Sequence, residues 1–168
     1  MELVFRKADK QDLEEIERVV KCAIAEMNTN KIPQWDELYP TGEDFEQDII
    51  KEELFVGQIE EKIAVLFALN QETDEAYESA DWKYPQKSYE VIHRLCVHPC
   101  FQGKGVAKMT MDFIEKFLTG KGIESIRLDV FSRNPYALKL YEKCGFKKTG
   151  EANWRKGKFY LMEKYLKQ

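Results

Sequence analysis

With 168 residues the chain has the length of one domain, and residues 1–168 are read as a single domain with a core large enough to need no covalent staple. Thirty acidic against 26 basic residues give a net charge of -4 with no basic tract, a field that repels a nucleic acid backbone. The longest apolar runs, such as IAVLFAL at 63–69, fall short of the roughly 20 residues a bilayer span needs, and the start MELVFRKADK is charged where a signal peptide is apolar. The expectation is a soluble, cytoplasmic protein with no nucleic acid and no membrane partner. Its four cysteines, at 22, 96, 100 and 144, show no paired spacing and are expected as thiols.

In chain order, LVFRKA at 3–8 reads as a strand. Asp9 then caps a helix over about 10–28 whose apolar residues Leu13, Ile16, Val19, Val20, Ala23, Ile24 and Met27 recur at three and four. After the loop NTNKIPQWDELYPTG, Thr41 and Asp44 form a capping box for a second helix through Phe45, Ile49 and Ile50. LFVGQIE and IAVLFALN, parted by Glu60 to Lys62, read as an antiparallel hairpin. The segment QETDEAYESADW at 71–82 holds five acids and no base. SYEVIHRLCV at 88–97 alternates as a strand, with Val91, His93, Leu95 and Val97 on one face and Ile92, Arg94 and Cys96 on the other. A helix follows over about 105–119, with Val106, Met109, Phe113, Ile114 and Phe117 inward, and ends at Gly120 and Gly122. GIESIRLDVF is then a strand parallel to the one before, because a helical crossover returns the chain in the same direction. A short helix opens at Asn134-Pro135 and closes at Gly145, and the tail from Phe146 reads as a final hairpin. These elements make an α+β fold.

The stretch HRLCVHPCFQGKGVAK, 93–108, holds both histidines and two of the cysteines. His93, Cys96, His98 and Cys100 are enough in number for tetrahedral zinc. In an extended strand, however, His93 and Cys96 face opposite sides and the paired-cysteine spacing on a turn is absent, so no metal is expected. An anion cradle fits better. Gln102-Gly103-Lys104-Gly105-Val106-Ala107 lies between a strand end and a helix start, where unpartnered N–H groups point outward and glycines admit a phosphate to the backbone. The pattern is neither a Walker A loop nor a Rossmann fingerprint. Taken alone it is equally compatible with a helix entry that uses glycine for steric room.

A second motif accompanies it. Gln102-x-x-Gly105-x-Ala107 resembles the acetyl-CoA loop of the GNAT family of N-acetyltransferases. Asn134, Ala137, Tyr141 and Gly145-Phe146 resemble that family's second signature, Asn-x-x-Ala-x-x-x-Tyr-x-x-x-Gly-Phe. Both occur in order, with Leu95-Cys96-Val97 before the loop, and the element order fits from residue 3 to the end. The resemblance implies a mostly antiparallel twisted sheet with one splayed parallel pair and about four flanking helices. It implies acetyl-CoA as acyl-donor cosubstrate. Backbone groups at Leu95, Cys96 and Val97 would bond the pantetheine arm, and Gln102, Gly103, Lys104, Gly105, Val106 and Ala107 would hold the pyrophosphate. An N–H near Leu95 would face the thioester as an oxyanion donor. Asn134 and Ala137 would lie along the pantetheine, Asn134 doubling as a helix cap, and Tyr141 would give a proton to the departing sulfur.

Aminolysis of a thioester also needs a neutral amine, and an alkylammonium of pKa about 10.4 is almost wholly charged at neutral pH, so a base or a water relay is required. Many family members use a glutamate on the cofactor strand. Here the position two before His93 is Val91, and Glu90 points the other way, so His93 is the candidate base, with a structural histidine as the alternative. The acceptor is expected to be a small, cationic primary amine. Trp35, Tyr39, Tyr77, Trp82 and Tyr84 with Glu72, Asp74, Glu75, Glu78 and Asp81 lie in the loops that would roof its cleft, unless they are a solvated acidic loop over packed aromatics. A protein N-terminal or lysine acetyltransferase and a non-catalytic acyl-CoA binding module are the competing readings. A homodimer is left open.

Overall fold

A computed structural model of the chain describes residues 2–166. Among the described residues the sheet is mixed and seven-stranded, in the order β1-β2-β3-β4-β5-β7-β6, with four α-helices. The chain divides into two compact units, one of residues up to Leu69 with Arg94–Thr110, the other of Asn70–His93 with the chain from Met111 on.

In the first unit β1 (Val4–Lys7), β2 (Leu54–Ile59) and β3 (Lys62–Asn70) pair antiparallel. Asp9 and Asp12 form a capping box around a 3-10 turn at Lys10–Asp12, and α1 (Leu13–Thr29) follows. Thr41 and Asp44 form the expected box at the start of α2 (Gly42–Ile50). Each such cap is worth about 1 kcal/mol, which matters for a helix as short as α2. Ile16, Val19, Val20 and Ala23 of α1 pack with Phe45 and Ile49 of α2 on Leu54, Val56, Leu66 and Ala68. At about 1.5–3 kcal/mol per fully buried branched side chain, this stripe holds α1 in place far more than helix propensity does. A second cluster, Ile59, Ala64, Val65 and Val106, gathers Leu95, Val97 and Met109. Residues of β3 enter both clusters, which is why IAVLFAL is apolar throughout instead of alternating.

In the second unit β4 (Tyr89–Val97) pairs with β5 (Ser125–Phe131) in parallel, from Tyr89↔Ser125 to Val91↔Arg127. That ladder takes up only Tyr89, Glu90 and Val91, as a splayed pair requires. β6 (Lys147–Trp154) and β7 (Gly157–Tyr165) form the closing hairpin, with β7 antiparallel to β5. α4 (Pro135–Lys143) is capped by Asn134 Oδ1, which accepts from the Ala137 amide at 3.1 Å. α3 (Val106–Gly120) turns a slightly different face inward from the one its phenylalanines suggest. Val106, Thr110, Met111, Ile114 and Leu118 are buried, whereas Phe113 and Phe117 stack on each other at 5.7 Å and stay partly exposed. The buried stripe of α3 follows the four-residue row from Val106, and the pair of rings shields itself one row over.

Candidate functional site

The first unit carries the strand-loop-helix motif. β4 is not a regular strand there: Arg94 sits at φ 54, in the left-handed region, so strict alternation stops at that residue. Val91 and Ile92 are consecutive buried residues. Beyond the break Leu95 and Val97 pack with Ile59, Val65, Val106 and Met109, while Cys96 enters the core under α1 and α2. The expected grouping of His93 with Leu95 and Val97 on one face assumed an unbroken pleat, and the left-handed Arg94 removes that basis. Cys96 is buried and its thiol is pushed up to about 12 by burial, with the neighbouring Cys22 adding to the effect, so it behaves as a packing group.

The strand ends in a short 3-10 turn, Pro99–Phe101, in which His98 Nδ1 accepts from the Cys100 amide at 3.0 Å. That commits one His98 nitrogen to the turn, and among the described residues no three His, Cys, Asp or Glu side chains gather as a metal site. Gln102 then reaches back, its Nε2 donating to the Val97 carbonyl at 3.3 Å, which fixes the exit of the strand relative to the loop. Gly103 and Gly105 have φ of 75 and 80, and a Cβ added at either would meet nothing within 4 Å. Glycine is therefore favoured here by the left-handed backbone turn and not by crowding, and the space over the turn is open. Gln102, Gly103, Lys104 and Gly105 are exposed, and Val106 is buried at the helix start, with Lys104 Nζ 5.7 Å from the Phe101 ring. An exposed, left-handed turn at the positive end of a fifteen-residue helix fits a pyrophosphate.

The second unit carries the other motif. Asn134, Ala137 and Tyr141 lie on or at the start of α4. Tyr141 is 7% exposed, with its ring 5.7 Å from that of Phe146. Burial raises its phenol well above the usual value, and the charges of Asp129 and Cys144 push in the same direction. His93 lies at the end of this unit's part of β4, and its Nε2 is 3.1 Å from the Glu72 carbonyl. A carbonyl only accepts, so Nε2 must carry hydrogen in that bond, and a proton taken up by the ring would go to Nδ1.

The acidic segment is fastened to the sheet. Tyr77 Oη donates to Asp129 at 2.7 Å, and its own pKa is raised, chiefly by burial and then by the Asp129 charge. Trp82 Nε1 donates to the Tyr77 carbonyl at 2.7 Å, and Glu163 accepts from the Lys83 and Tyr84 amides at 2.8 and 3.3 Å. The Arg127 guanidinium lies 4.3 Å from the Trp82 ring and 4.1 Å from the Tyr89 ring. Of the five expected acceptor aromatics, Trp35 and Tyr77 are core residues, 6% and 3% exposed, and only Tyr39 and Tyr84 are well exposed. The acids do line space: Asp74, Glu75 and Glu78 bound an open depression of 980 Å³ whose far wall is Asn153 and Trp154. Trp154 Nε1 donates to Asp74 at 3.3 Å.

Sequence reasoning missed Arg127, Asp129, Glu163 and Trp154. Arg127 and Asp129, two apart in the otherwise apolar SIRLDVF, were a usable signal, since charges on one face of a buried strand need partners. Trp154 gave none, because its contact is eighty residues away.

Comparison with known proteins points to a single family. The family model described as the acetyltransferase (GNAT) family matches residues 24–146. The uncharacterized N-acetyltransferase YycN of Bacillus subtilis is 33% identical over 70 residues, a match that spans 42% of this chain and 44% of that protein. The chain thus covers less than half the length of that curated relative. A solved structure from Staphylococcus aureus Mu50, assigned to the acetyltransferases, is 30% identical, with 98% of this chain and 99% of that one covered and a TM-score of 0.77. The PaiA N-acetyltransferase of Thermoplasma acidophilum, solved in complex with coenzyme A, shares the fold at 19% identity, with 98% and 99% covered and a TM-score of 0.73. The left-handed glycine turn before α3, the Asn134-capped helix with Tyr141, and the family match across 24–146 lead to one conclusion: the chain belongs to the GNAT acetyltransferase family.

Proposed function

We propose that the protein is an acetyl-CoA-dependent N-acetyltransferase whose acceptor is a primary amine on a small, cationic molecule. The observation that carries the cosubstrate is the exposed turn with Gly103 and Gly105 both left-handed and no protein atom where a Cβ would stand. Acetyl-CoA supplies the activated acyl group, and the residues from Gln102 to Ala107 hold its phosphates by backbone N–H groups and the positive end of α3. The N–H near Leu95 is assigned to the carbonyl oxygen, where charge develops as the amine attacks. The ammonium loses one proton to His93, directly or through one water, and the neutral amine attacks the thioester carbon; as the C–S bond breaks, Tyr141 gives its O–H proton to the leaving sulfur and is restored by the second proton, which nitrogen sheds as the amide forms. The products are the acetamide and the free thiol.

The acceptor class is supported by the depression bounded by Asp74, Glu75 and Glu78, whose carboxylates and Trp154 wall suit a cation. Retention of Tyr141 favours an enzyme over a module that only binds acyl-CoA. The test is a panel of polyamines, amino acids, aminoglycosides and N-terminal peptides with acetyl-CoA, read by release of free thiol. Turnover of small amines supports the reading; turnover of peptides alone shifts it to a protein acetyltransferase. A Gly105→Glu variant should lose coenzyme A binding, because it forces a side chain into φ 80 and sets a carboxylate against phosphates. Undiminished affinity in that variant by calorimetry removes the reading.

A further inference from the structure

The left-handed residue in β4 is an arginine, and it is held from outside the strand. Residues with a Cβ avoid that conformation, and Asn, Asp or Gly are the ones that accept it. Arg94 nevertheless has φ 54. Its guanidinium donates to Asp48 twice, from Nε to Oδ2 and from Nη2 to Oδ1, both at 2.7 Å, and from Nη1 to Tyr39 Oη at 2.9 Å. The side chains are 12% and 7% exposed in the ion pair. Asp48 itself is anchored: it lies on α2, which is capped by Thr41 and buried through Phe45 and Ile49.

We propose that Asp48 and Tyr39 act through Arg94 as a clamp that holds the break in β4, making Arg94 and Asp48 positioning residues for the acyl donor. The inference rests on the acetyl-CoA reading above. A buried ion pair contributes little net stability against an apolar pair of the same volume, because desolvation offsets the attraction. What a planar, two-point bond does supply is a fixed direction. Here it fixes the side chain of the one residue of β4 with positive φ, directly before the backbone of Leu95 and Val97. The left-handed break sets which way those N–H and C=O groups point, and with them the donor assigned to the thioester oxygen. Burial alone would weaken the guanidinium's charge; the bonds to Asp48 and Tyr39 more than offset it and leave a net upward shift, so Arg94 stays charged.

The distinguishing experiment compares Arg94→Gly with Arg94→Ala, together with Asp48→Asn and Tyr39→Phe. Coenzyme A affinity is read by calorimetry and amide hydrogen exchange is read across Leu95–Val97. Glycine adopts φ 54 without the clamp, whereas alanine does not. Arg94→Ala is expected to weaken binding about 5- to 30-fold, the equivalent of the left-handed penalty for a residue with a Cβ. Asp48→Asn should weaken it about tenfold, as for one charge-assisted bond, with faster exchange at Leu95–Val97. Arg94→Gly should bind within about threefold of the wild type although, with the clamp lost, it still lowers the melting temperature, by less than alanine does. A merely structural pair predicts that glycine is no better than alanine, and that result overturns the inference while the acetyl-CoA reading stands. If Arg94→Ala does not fold, Asp48→Asn and Tyr39→Phe decide: wild-type affinity and exchange in both overturns the clamp. If the wild type does not bind coenzyme A, the reading and the clamp fall together.

Discussion

Replacing Tyr141 by Phe removes one hydroxyl and no ring, so its effect isolates the proton offered to the leaving sulfur. The size of the effect follows from the environment of the phenol. A thiol of ordinary pKa is about 8.5, and Tyr141 is held well above its usual 10 by burial and the Asp129 charge. Complete transfer from phenol to thiolate is then uphill by more than about 2 kcal/mol, at 1.36 kcal/mol per unit. In the proposed reaction Tyr141 would thus serve as a neutral donor to the developing thiolate more than as a strong acid, and the loss expected is that of one hydrogen bond to a charged group, about 1.5–3 kcal/mol. That converts to a fall of about 10- to 150-fold in kcat, toward the low end of general acid catalysis.

The cofactor side should not respond, and KM for acetyl-CoA should stay within about twofold, as for an interaction made only in the transition state. The fold should not respond either, since the ring is 7% exposed and its packing on Phe146 survives. The pH sign is also fixed. The donor is the protonated phenol, present below its pKa, and because that pKa is raised the rate should show no loss from Tyr141 ionisation through pH 10. The assay is thiol release on the amine found by the panel, with initial rates from pH 6 to 10. A Phe variant with wild-type kcat, or one whose deficit lies entirely in KM, refutes the assignment.

His93→Gln keeps an N–H that can donate to the Glu72 carbonyl but has no titrating nitrogen, so it should lower kcat and flatten the limb that rises through an imidazole pKa of about 6.5. An unchanged pH profile would move the base to a carboxylate of the 71–82 segment or to solvent. Asp12 accepts two 2.7 Å bonds from Arg6, and these, ahead of any other cause, lower its pKa. A lowered carboxyl stabilises the fold above its unfolded pKa of about 3.9 and loses that contribution as pH falls through the folded value. Asp12→Asn should thus cost about 1 kcal/mol at pH 7 and nothing near pH 2, measured by urea titration, with equal losses at both pH values counting against the pair. Cys22 and Cys100 are exposed and Cys96 and Cys144 buried, so a thiol reagent at pH 8 should label the first pair in the native protein and the second only on unfolding.

The elements were legible because the signals for them are local. Asp9 caps as the sequence implies and the Thr41–Asp44 box forms as expected, both through bonds within one turn, while Asp12 goes further than expected and closes a box with Asp9. The parallel pairing of β4 with β5 follows from chain direction alone. The inward face of α3 was less legible, since Val106, Met109, Phe113, Ile114 and Phe117 satisfy a helical period as well as the observed row does. Phenylalanine attracts the assignment by its hydrophobicity, but two rings four apart can cover each other and leave the core to Met111 and Leu118.

The chemistry divides along the same line. The glycine turn and the Asn134 to Tyr141 helix are motifs because their residues act within one turn or one helix, so their spacing is written in the chain. The shape of β4 is written elsewhere. Period-two reasoning had no cause to doubt an arginine between His93 and Leu95, because a left-handed position announces itself in sequence only when glycine or asparagine fills it. Arg94 takes that conformation with Asp48, forty-six residues earlier, bound to it in two places, and with Tyr39 bound from the loop before α2. A strain held by a distant partner leaves no local trace. The same reasoning explains why His93 was placed with Leu95 and Val97: a single non-glycine residue at positive φ ends the alternation on which every facing argument beyond it depends.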